Sequence, residues 1–578
     1  MKKKHLLLLL ALPLLVGCFN NPSSTTIDGT SYNTGINVED PDSIDVNENT
    51  GTFSITTSDG AYSQNENIYT FSTAGTYTLK GKLEGQILVD AEDEDEVIIE
   101  LNGASISYDQ DSPIRVLNAD KVEISAKKGT DNTVSDDRNA KTVDSPSLGE
   151  GAIYATCDLK LKGSGTLVIN GNYNNGIHTT KDLTIQKLTL KVTGYNNGIK
   201  GKNSATITSG TVQVYAKNGN GIKTEASHIS SSGNQKGTIT INGGKIYVDT
   251  LHDAIDAAYN IEIDQLDSAI ETSITIKTGK NSTYYSSAFK ADSEKGLKAL
   301  NSVIISNGTL TILASDDAIH ATYGETLDNE AKGLGNITIN GGTIQVASGD
   351  DGLHADNTLS VKGGKIIVTN ASEGFEANYI NISGGYTYIY GTDDGINCSR
   401  KSFSNCAFTM TGGYLDVAIK NGDTDGIDSN GDFTLSGGVI VTRGSPGTTG
   451  SNMSTGLDVD GTCSMTGGTL IAFNGLEKTP STSSGVLYAG TKSSSSQGGP
   501  GGNPFGQGGS NSSSSVTLQA GNYTLSGTGI DISFTNDYAY GSFLIYSSNL
   551  TTGATYTLTR NNASVLSWSQ SSSSVTIS

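Results

Sequence analysis

Residues 336–376 read NITINGGTIQVASGDDGLHADNTLSVKGGKIIVTNASEGFE, and two patterns alternate within this stretch. One is a six-residue pattern of two polar residues, Gly or Ala, an aliphatic residue or Phe, a polar residue and usually a small residue, as in residues 350–355. The other is a Gly-Gly pair followed by alternating residues, as in residues 341–346. Alternation with period two predicts a strand with one buried face, and the glycine pair predicts a turn before it.

The six-residue pattern returns eleven times between residues 174 and 458. The intervals from His178 to Lys200, from Lys298 to His320 and from His354 to Glu376 are each 22 residues, and the longer intervals fit 22 residues plus a loop insertion. A unit of this length is too short for a propeller blade, but it suits one coil of three short strands and three turns. Such coils stack at about 4.8 Å through parallel hydrogen bonds. The sequence therefore predicts an all-β solenoid, a parallel β-helix.

The N-terminus has the layout of an export signal. Lys2, Lys3 and Lys4 precede an apolar run over residues 6–16, which is too short to span a bilayer as a permanent helix. The run ends in Leu15-Val16-Gly17-Cys18, which resembles the lipobox of bacterial lipoproteins. We therefore predict a lipoprotein signal peptide over residues 1–17, an acylated Cys18 as the mature N-terminus, and an extracytoplasmic protein held to a membrane through this lipid anchor.

Composition divides the rest of the chain into four segments. Residues 18–50, rich in Asn, Ser, Thr and Asp, are predicted to be a flexible tether, and residues 51–480 the parallel β-helix. Residues 481–515 include a Gly/Ser-rich low-complexity loop, and residues 516–578 contain alternating strands that we expect to form a small C-terminal β-rich cap. Capping is needed because an exposed end coil is an aggregation-prone edge.

Charge and cysteine spacing limit the partners. The 578 residues carry a formal net charge of −22, so nucleic acid is a poor partner, whereas divalent cations suit the excess of carboxylates; solubility of a secreted protein is the alternative explanation. The cysteines show no CxxC spacing, which argues against a zinc site built from them. Cys398 and Cys406 are predicted either to form a disulfide or to be buried free thiols, and we expect a monomer.

Stacked coils would turn the acidic residues of the six-residue pattern into a column. Like charges about 5 Å apart repel by roughly 1 kcal/mol per pair even in a water-like dielectric, so a counter-ion is needed, and calcium prefers such oxygen ligands. The alternative is that Asn and Asp at these positions cap turns by bonding neighbouring backbone. The predicted calcium ligands are Asp253, Asp256, Asp316, Asp317, Asp350, Asp351, Glu373, Asp393, Asp394, Asp425 and Asp428.

Tyrosines provide a candidate surface for sugar stacking. Tyr386, Tyr388 and Tyr390 alternate with Thr387 and Ile389, which predicts three rings on one solvent-facing strip, and alignment of the Gly-Gly pairs places Tyr414 over Tyr386. An exposed tyrosine ladder suits pyranose rings, although aromatic rungs that only reinforce the sheet are an equal alternative.

Basic residues share one position of the six-residue pattern. Lys200 and Lys223 are candidates for binding the glycan and, with Lys298, for removing a proton in a lyase reaction; the alternative is a solvated side chain. The histidines at the same position are more consistent with surface residues than with metal ligands, and they are His178, His320 and His354.

The chain resembles the clostridial-type carbohydrate-binding domain-containing lipoproteins, which are similar to family nine polysaccharide lyases. The stretches that carry the resemblance are residues 81–103 (GKLEGQILVDAEDEDEVIIELNG), residues 170–200 (NGNYNNGIHTTKDLTIQKLTLKVTGYNNGIK) and the Asp-Asp-Gly coils through Asp428. The resemblance implies a calcium-loaded right-handed β-helix at the cell surface that binds cellulose and acidic pectin-like chains, without established lyase activity.

We therefore expect a calcium-dependent, non-catalytic polysaccharide-binding lipoprotein. The two alternatives are a calcium-dependent polysaccharide lyase of the pectate type and a surface adhesin that binds proteins.

Overall fold

The structure is a computed structural model, and it describes residues 36, 38–141, 147–287, 292–326, 332–420, 422, 424–445, 454–491 and 517–577. The predicted signal peptide, Cys18 and the Gly/Ser-rich stretch from residue 494 to residue 515 lie outside the described residues.

The described residues form an all-β fold. The strands of the first coils are β1 (Ser54–Thr57), β2 (Tyr62–Asn65), β3 (Ile68–Phe71), β4 (Gly75–Glu84), β5 (Gln86–Asp90), β6 (Glu96–Tyr108), β7 (Ile114–Asn118), β8 (Lys121–Ala126), β9 (Asp131–Asp136), β10 (Gly151–Ala155), β11 (Asp158–Gly163), β12 (Thr166–Gly171), β13 (Asn175–Thr179), β14 (Asp182–Gln186), β15 (Leu188–Gly194), β16 (Ile199–Gly201), β17 (Ser204–Ile207), β18 (Gly210–Ala216) and β19 (Ile222–Lys223). The following coils contain β20 (Thr238–Ile241), β21 (Gly244–Thr250), β22 (Ile255–Ala257), β23 (Asn260–Ile263), β24 (Thr272–Thr278), a single 3-10 turn (Gly279–Asn281), β25 (Leu297–Ala299), β26 (Ser302–Ile305), β27 (Thr309–Leu313), β28 (Ile319–Ala321), β29 (Tyr323–Thr326), β30 (Lys332–Leu334), β31 (Asn336–Ile339), β32 (Thr343–Ala347), β33 (Leu353–Val361), β34 (Lys365–Ala371), β35 (Phe375–Ile382) and β36 (Tyr386–Gly391). The chain then continues with β37 (Ile396–Cys398), β38 (Ala407–Met410), β39 (Tyr414–Ile419), β40 (Ile427–Ser429), β41 (Asp432–Leu435), β42 (Val439–Arg443), β43 (Leu457–Val459), β44 (Cys463–Met465), β45 (Thr469–Phe473), β46 (Ser481–Thr482), β47 (Leu487–Gly490), β48 (Gly521–Gly527), β49 (Ile530–Asn536), β50 (Phe543–Ser547), β51 (Thr555–Arg560), β52 (Ala563–Ser569) and β53 (Ser574–Thr576).

Three parallel ladders run through the solenoid, because through much of the chain each strand pairs with the strand three positions later. Strand β13 pairs with β16, β14 with β17 and β15 with β18, and all three pairings are parallel. The same rule continues to β40–β43, β41–β44 and β42–β45. Each coil thus contributes three strands, and the prediction of an all-β solenoid of stacked coils is confirmed. The right-handed sense of the helix stays a prediction.

The core is one apolar column inside the coils. The aliphatic residue or Phe of every copy of the six-residue pattern is fully or almost fully buried. The Gly or Ala before it leaves room for the neighbouring ladder, since a Cβ at Gly374 would lie 2.1 Å from Ile389 Cγ2. The second glycine of the Gly-Gly pairs has a left-handed backbone, as at Gly364 with φ of 83°, which explains the glycine requirement in that turn.

The segment before the first coil differs from the flexible tether predicted over residues 18–50. Its described part, residues 36 and 38–50, packs along the flank of the solenoid. Asp40 accepts hydrogen bonds from Tyr247 at 2.7 Å and from Lys277 at 2.9 Å, and the Asp42 carbonyl accepts one from Gln213 at 2.8 Å. We call residues 38–50 the strap. Strand β1 then pairs antiparallel with β4.

The C-terminal segment closes the other end and also covers one flank. Strand β50 pairs antiparallel with β45 of the last coil, while β49, β48, β51 and β52 form a separate four-stranded antiparallel sheet. Arg443 docks this sheet: its side chain is fully buried against Asp416 and donates to Asn536 Oδ1 and the Thr535 carbonyl, both at 2.7 Å.

The four described cysteines, Cys157, Cys398, Cys406 and Cys463, are buried and free, so Cys398 and Cys406 are the predicted thiols and not the predicted disulfide. In the described part of the chain, no helix has the length and apolar character needed to cross a membrane.

Candidate functional site

The copies of the six-residue pattern lie directly over one another. Their polar residue two places after the Gly or Ala pairs with its counterpart in the next coil, for example His354 with His320 on one side and Glu376 on the other. The resulting column contains His178, Lys200, Lys223, Asp256, Lys298, His320, His354, Glu376, Asn397, Asp428 and Asp458. We call it the polar column.

The residue before the Gly or Ala forms a second ladder. Asp317 Oδ1 accepts the backbone N–H of Asp351 at 3.0 Å, and Asp394 Oδ1 accepts that of Asp425 at 2.8 Å. In an early coil, Asn197 Oδ1 accepts the backbone N–H of Asn220 in the same way, at 3.0 Å. The turn-capping alternative therefore explains one oxygen of each side chain. An aspartate has a second oxygen, which these backbone bonds leave for a cation.

Lysines enter the acidic ladder in the middle of the solenoid. Lys295 takes the ladder position of its coil, and its Nζ lies 2.8 Å from Asp316 and 2.5 Å from Asp317. Burial alone would raise the pKa of Asp317, but the hydrogen bond from His320 and the charge of Lys295 hold it well below its usual range. Part of the carboxylate charge is thus neutralised within the chain.

His354 lies in the same coils and His178 in an early coil, and the burial of both side chains differs from the surface locations predicted for them. His354 is only 8% exposed, and its Nδ1 lies 2.7 Å from Asp351 and 3.2 Å from Glu376. Although burial alone would lower the pKa of His354, hydrogen bonds to Asp351 and Asp356 raise it to about 10. His178 is also buried, at 5% exposure, so the surface prediction was wrong for both side chains.

Among the described residues, four groups of three side chains bring potential ligand atoms within 4.8 Å of one another. Two groups offer only carboxylates and share Asp350, which is exposed. The other two share His354. The groups are Asp316, Asp317 and Asp350; Asp350, Asp351 and Glu373; Asp317, His320 and His354; and Asp351, His354 and Glu376. The first two suit calcium, which prefers oxygen ligands.

The last coils contain carboxylates without such internal cations. Among the described residues, no lysine, arginine or histidine nitrogen lies within 4.0 Å of Asp394, Asp428 or Asp458. Burial, followed by the negative charges of Asp428 and Asp425, raises the pKa of Asp394 to about 7. Burial and the charges of Asp458 and Asp425 raise that of Asp428 to about 7.

The predicted calcium ligands thus fall into three sets. Asp316, Asp317, Asp350, Asp351 and Glu373 converge in the middle coils. Asp253 and Asp256 are instead paired with Lys298 at 3.1 Å and Lys223 at 2.7 Å. The predicted ligands of the last coils are Asp393, Asp394, Asp425 and Asp428. Lys295 and Asp356 were not predicted from the sequence. The Asp-x-x-His spacing at Asp317–His320 and Asp351–His354 is the pattern that could have indicated the contacts of the two histidines.

The tyrosine strip is covered. Tyr414 stacks on Tyr386 with ring centroids 5.1 Å apart, as predicted, but Tyr388 and Tyr390 are only 4% and 7% exposed, so the prediction of a solvent-facing strip was wrong. The cover comes from the C-terminal segment, because Tyr414 donates to the Ser533 carbonyl at 2.9 Å. Burial and a hydrogen bond with Tyr538 also raise the pKa of Tyr390 above its usual range.

The lysines of the polar column are paired with carboxylates. Lys200 lies 3.1 Å from Glu225, and Lys223 lies 2.7 Å from Asp256. Burial alone would lower the pKa of Lys298, but the charges of Asp253 and Asp256 raise it. A lysine held in its charged form is poorly suited to accept a proton.

A polar groove of about 580 Å³ lies on the first coils, away from the acidic ladder. Ser107, Thr133 and Ser135 line it together with Tyr108 and Asp109. Its hydroxyls and carboxylates can exchange hydrogen bonds with the hydroxyls of a neutral sugar.

Comparison with known proteins gives a consistent family description. A family model described as "Carbohydrate-binding domain-containing protein" matches residues 64–352 and 328–537. A protein with that description from Acetivibrio thermocellus (strain ATCC 27405) is 36% identical over 197 residues, which are 33% of this chain and 66% of the relative. The match therefore spans slightly less than two thirds of the relative's length.

One solved structure is also similar. It is titled as the polysaccharide lyase-like protein from C. thermocellum, gadolinium derivative, and it shares 32% sequence identity over 38% of this chain and 84% of its own. The TM-score is 0.33, so the description of the fold rests on the strand register of this chain.

Proposed function

We propose that this chain, which belongs to the carbohydrate-binding domain-containing proteins, binds a polysaccharide along its stacked coils. We also propose that calcium assists the binding. The family match includes residues 81–103 and 170–200, two of the stretches that carried the resemblance seen in the sequence. The predicted resemblance to carbohydrate-binding domain-containing proteins is therefore confirmed. The observation that carries the calcium proposal is the pair of carboxylate groups that share Asp350.

The side chains around Asp350 fit calcium. Burial and the negative charges of Asp317 and Asp316 raise the pKa of Asp350, so its charge is not balanced by the lysine in this region. Calcium takes six to eight oxygen ligands with tolerant geometry, and solvent or a ligand can complete a set of exposed carboxylates. Asp350, Asp316 and Glu373 are the accessible members, and they would hold the ion.

An acidic, pectin-like chain is the glycan that most needs this ion. The protein carries a net charge of −22, and a uronate chain is also negative, so the two repel one another without a cation between them. Calcium held at Asp350 would attract a uronate carboxylate. Cellulose carries no charge, and the polar groove around Tyr108 is the surface that we assign to a neutral chain.

Binding without catalysis is favoured over a lyase reaction. A lyase needs a basic residue that takes a proton next to the metal-bound carboxylate. The three lysines considered for that role are paired with carboxylates, and the charges of Asp253 and Asp256 raise the pKa of Lys298. A protein-binding adhesin is the remaining alternative, and retention on polysaccharide distinguishes it from a glycan-binding protein.

We also propose that the protein is lipid-anchored outside the cytoplasm through Cys18. Lys2–Lys4, the apolar run over residues 6–16 and the small Gly17 before Cys18 support this location.

The test is retention of the purified chain on insoluble polygalacturonate and on cellulose, with calcium and with a chelator. We expect calcium to increase retention on polygalacturonate about tenfold or more, and Asp350→Asn to remove most of that increase. Retention on cellulose should be independent of calcium and reduced by Tyr108→Ala. The absorbance of the supernatant should not rise, because no unsaturated ends form.

Asp531→Asn is the matched control, since Asp531 is an exposed carboxylate on the C-terminal sheet, far in sequence from the coils. Retention that the chelator leaves unchanged contradicts the calcium proposal. No retention on either polymer contradicts polysaccharide binding and favours the adhesin.

A further inference from the structure

The spacing Asp-x-x-His occurs in two adjacent coils of the solenoid. In both, the histidine Nδ1 lies 2.7 Å from the aspartate Oδ2: His320 from Asp317, and His354 from Asp351. Because His320 pairs directly with His354 across the ladder, the two imidazole rings stack, with centroids 4.6 Å apart and an interplanar angle of 29°. The repeat of a short motif at the coil period thus brings two nitrogen ligands together.

We infer that His320 and His354, together with Asp317, form a binding site for a divalent transition-metal ion of the zinc class. Their ligand atoms lie within 4.8 Å of one another, and Asp317 is only 2% exposed. Imidazole suits zinc, copper and nickel, whereas calcium is bound by oxygen. Zinc accepts two histidines and a carboxylate and completes its coordination with water or a ligand. The spacing of the cysteines argued only against a zinc site built from cysteine ligands, and this site contains no cysteine.

The surroundings of His354 provide an independent observation. Its Nε2 lies 3.1 Å from Asp356 Oδ1, on the side of the ring away from Asp351. In metal sites, a ligating histidine usually donates its other ring N–H to a carboxylate, which fixes the ring and strengthens the ligand. Asp356 is therefore a positioning residue for His354.

The stacked rings can share a metal ion only when both are neutral, because two protonated imidazoles at 4.6 Å would repel one another. Asp351 and Asp356 favour the protonated form of His354, so a metal ion that binds both rings must displace that proton, and binding should release it to the solvent. The nearby carboxylates of Asp317, Asp351, Asp356 and Glu376 outnumber the lysines that contact them, Lys295 and Lys401, so a doubly charged ion is also favourable.

This inference goes beyond calcium-dependent glycan binding and does not depend on it. The oxygen-only groups around Asp350 remain for calcium, and the histidine pair selects a different class of metal. Asp317 belongs to one group of each kind, so the two ions would be neighbours.

The test is a zinc titration of the purified chain without an affinity tag, freed of metal by a chelator and kept in about 1 mM calcium to fill the oxygen-only groups. We expect one zinc ion to bind, and His320→Gln combined with His354→Gln to weaken the affinity roughly 100-fold or more. His178→Gln is the matched control, because His178 occupies the same column but its nearest carboxylate oxygen, on Glu150, is 3.7 Å away. This control should retain the affinity of the unsubstituted chain.

A second measurement keeps the inference testable if the double variant does not fold. Cobalt(II) bound to the unsubstituted chain should show the visible absorption band of a site with nitrogen ligands, and added zinc should displace it. The inference is overturned if zinc binds the double variant and the unsubstituted chain equally, or if calcium alone displaces the cobalt. Neither result would affect retention on polygalacturonate.

Discussion

The middle coils, residues 295–376, and the late coils, residues 394–458, place acidic residues at the same positions but neutralise them differently. In the middle coils, Lys295 bridges Asp316 and Asp317, and Lys401 contacts Glu376. In the late coils, none of the described cations lies within 4.0 Å of Asp394 or the acidic residues of the polar column. Identical backbone registry therefore produces two electrostatic environments.

This difference teaches that a column of carboxylates is not in itself a metal site. Where the chain supplies lysine or histidine within hydrogen-bond distance, part of the charge is already balanced, and only accessible members such as Asp350 are left for an external ion. In the late coils, burial and neighbouring carboxylates raise the pKa of Asp394 and Asp428 with no such cation to oppose them, whereas in the middle coils the pKa of Asp351, also raised by burial, is lowered in part by its hydrogen bond with His354. Removing or adding one cation should therefore convert one kind of coil into the other.

The largest effect is expected for Lys295→Met. The substitution leaves the buried Asp317 with His320 as its remaining side-chain partner, and breaking a buried pair in this way costs about 3 kcal/mol. The free energy of local opening, measured by amide hydrogen exchange in β25, β28 and β33, should fall by that amount. Lys362→Met removes an exposed lysine and should change little; equal losses in both variants would contradict the proposed role of Lys295.

A smaller effect is expected from pH on the metal-free protein. The pKa values of Asp394 and Asp428 are raised to about 7 in the folded chain, compared with about 3.9 when unfolded, so the folded chain binds their protons more tightly. The stability that this provides is complete below about pH 4 and is lost as the pH rises through about 7. Both groups are partly solvated, which limits the expected loss between pH 5 and pH 8 to about 1–2 kcal/mol.

Hydrogen exchange of β37 and β40 in a chelator measures this loss. The loss in β37 and β40 should follow a titration with a midpoint near pH 7, and calcium should reduce it if it occupies the late coils. An opening free energy of these strands that stays constant between pH 5 and pH 8 would contradict the prediction.

The smallest effect is expected for Asn397→Lys, which adds a cation to the late coils. Asn397 lies in the polar column between Glu376 and Asp428. A lysine there should stabilise the late coils by about 0.5–1 kcal/mol at pH 8 and reduce their response to pH. Asn340→Lys adds the same charge at an exposed turn and is the control. If both variants behave alike, general charge rather than position explains the result.

The register of the coils could be predicted from the sequence because a fixed period determines which residues become vertical neighbours. His354 over Glu376 and Tyr386 next to Tyr414 both follow from that period. The same reasoning placed Asp316, Asp317 and Asp350 in the acidic column, and the structure shows that these three converge.

Other features could not be predicted because no periodic signal links the residues involved. Tyr388 and Tyr390 are covered by a segment more than 140 positions later, and alternation shows which face a side chain points to but not what covers it. The burial of His354 depends on Asp356 and Glu376, which come from two coils. Lys295 interrupts the acidic ladder, and no repeated spacing in the sequence indicates that its Nζ reaches Asp317 in the next coil.

The strap determines how mechanical tension enters the molecule. Asp40 is tied to Tyr247 and Lys277, whereas the chain enters its first strand only at β1. A force applied from the N-terminal side therefore acts on the bonds between Asp40 and strands β21 and β24 before it reaches the first coil. With the proposed anchor at Cys18, the flank of the solenoid rather than its first coil would be the part held nearest the membrane.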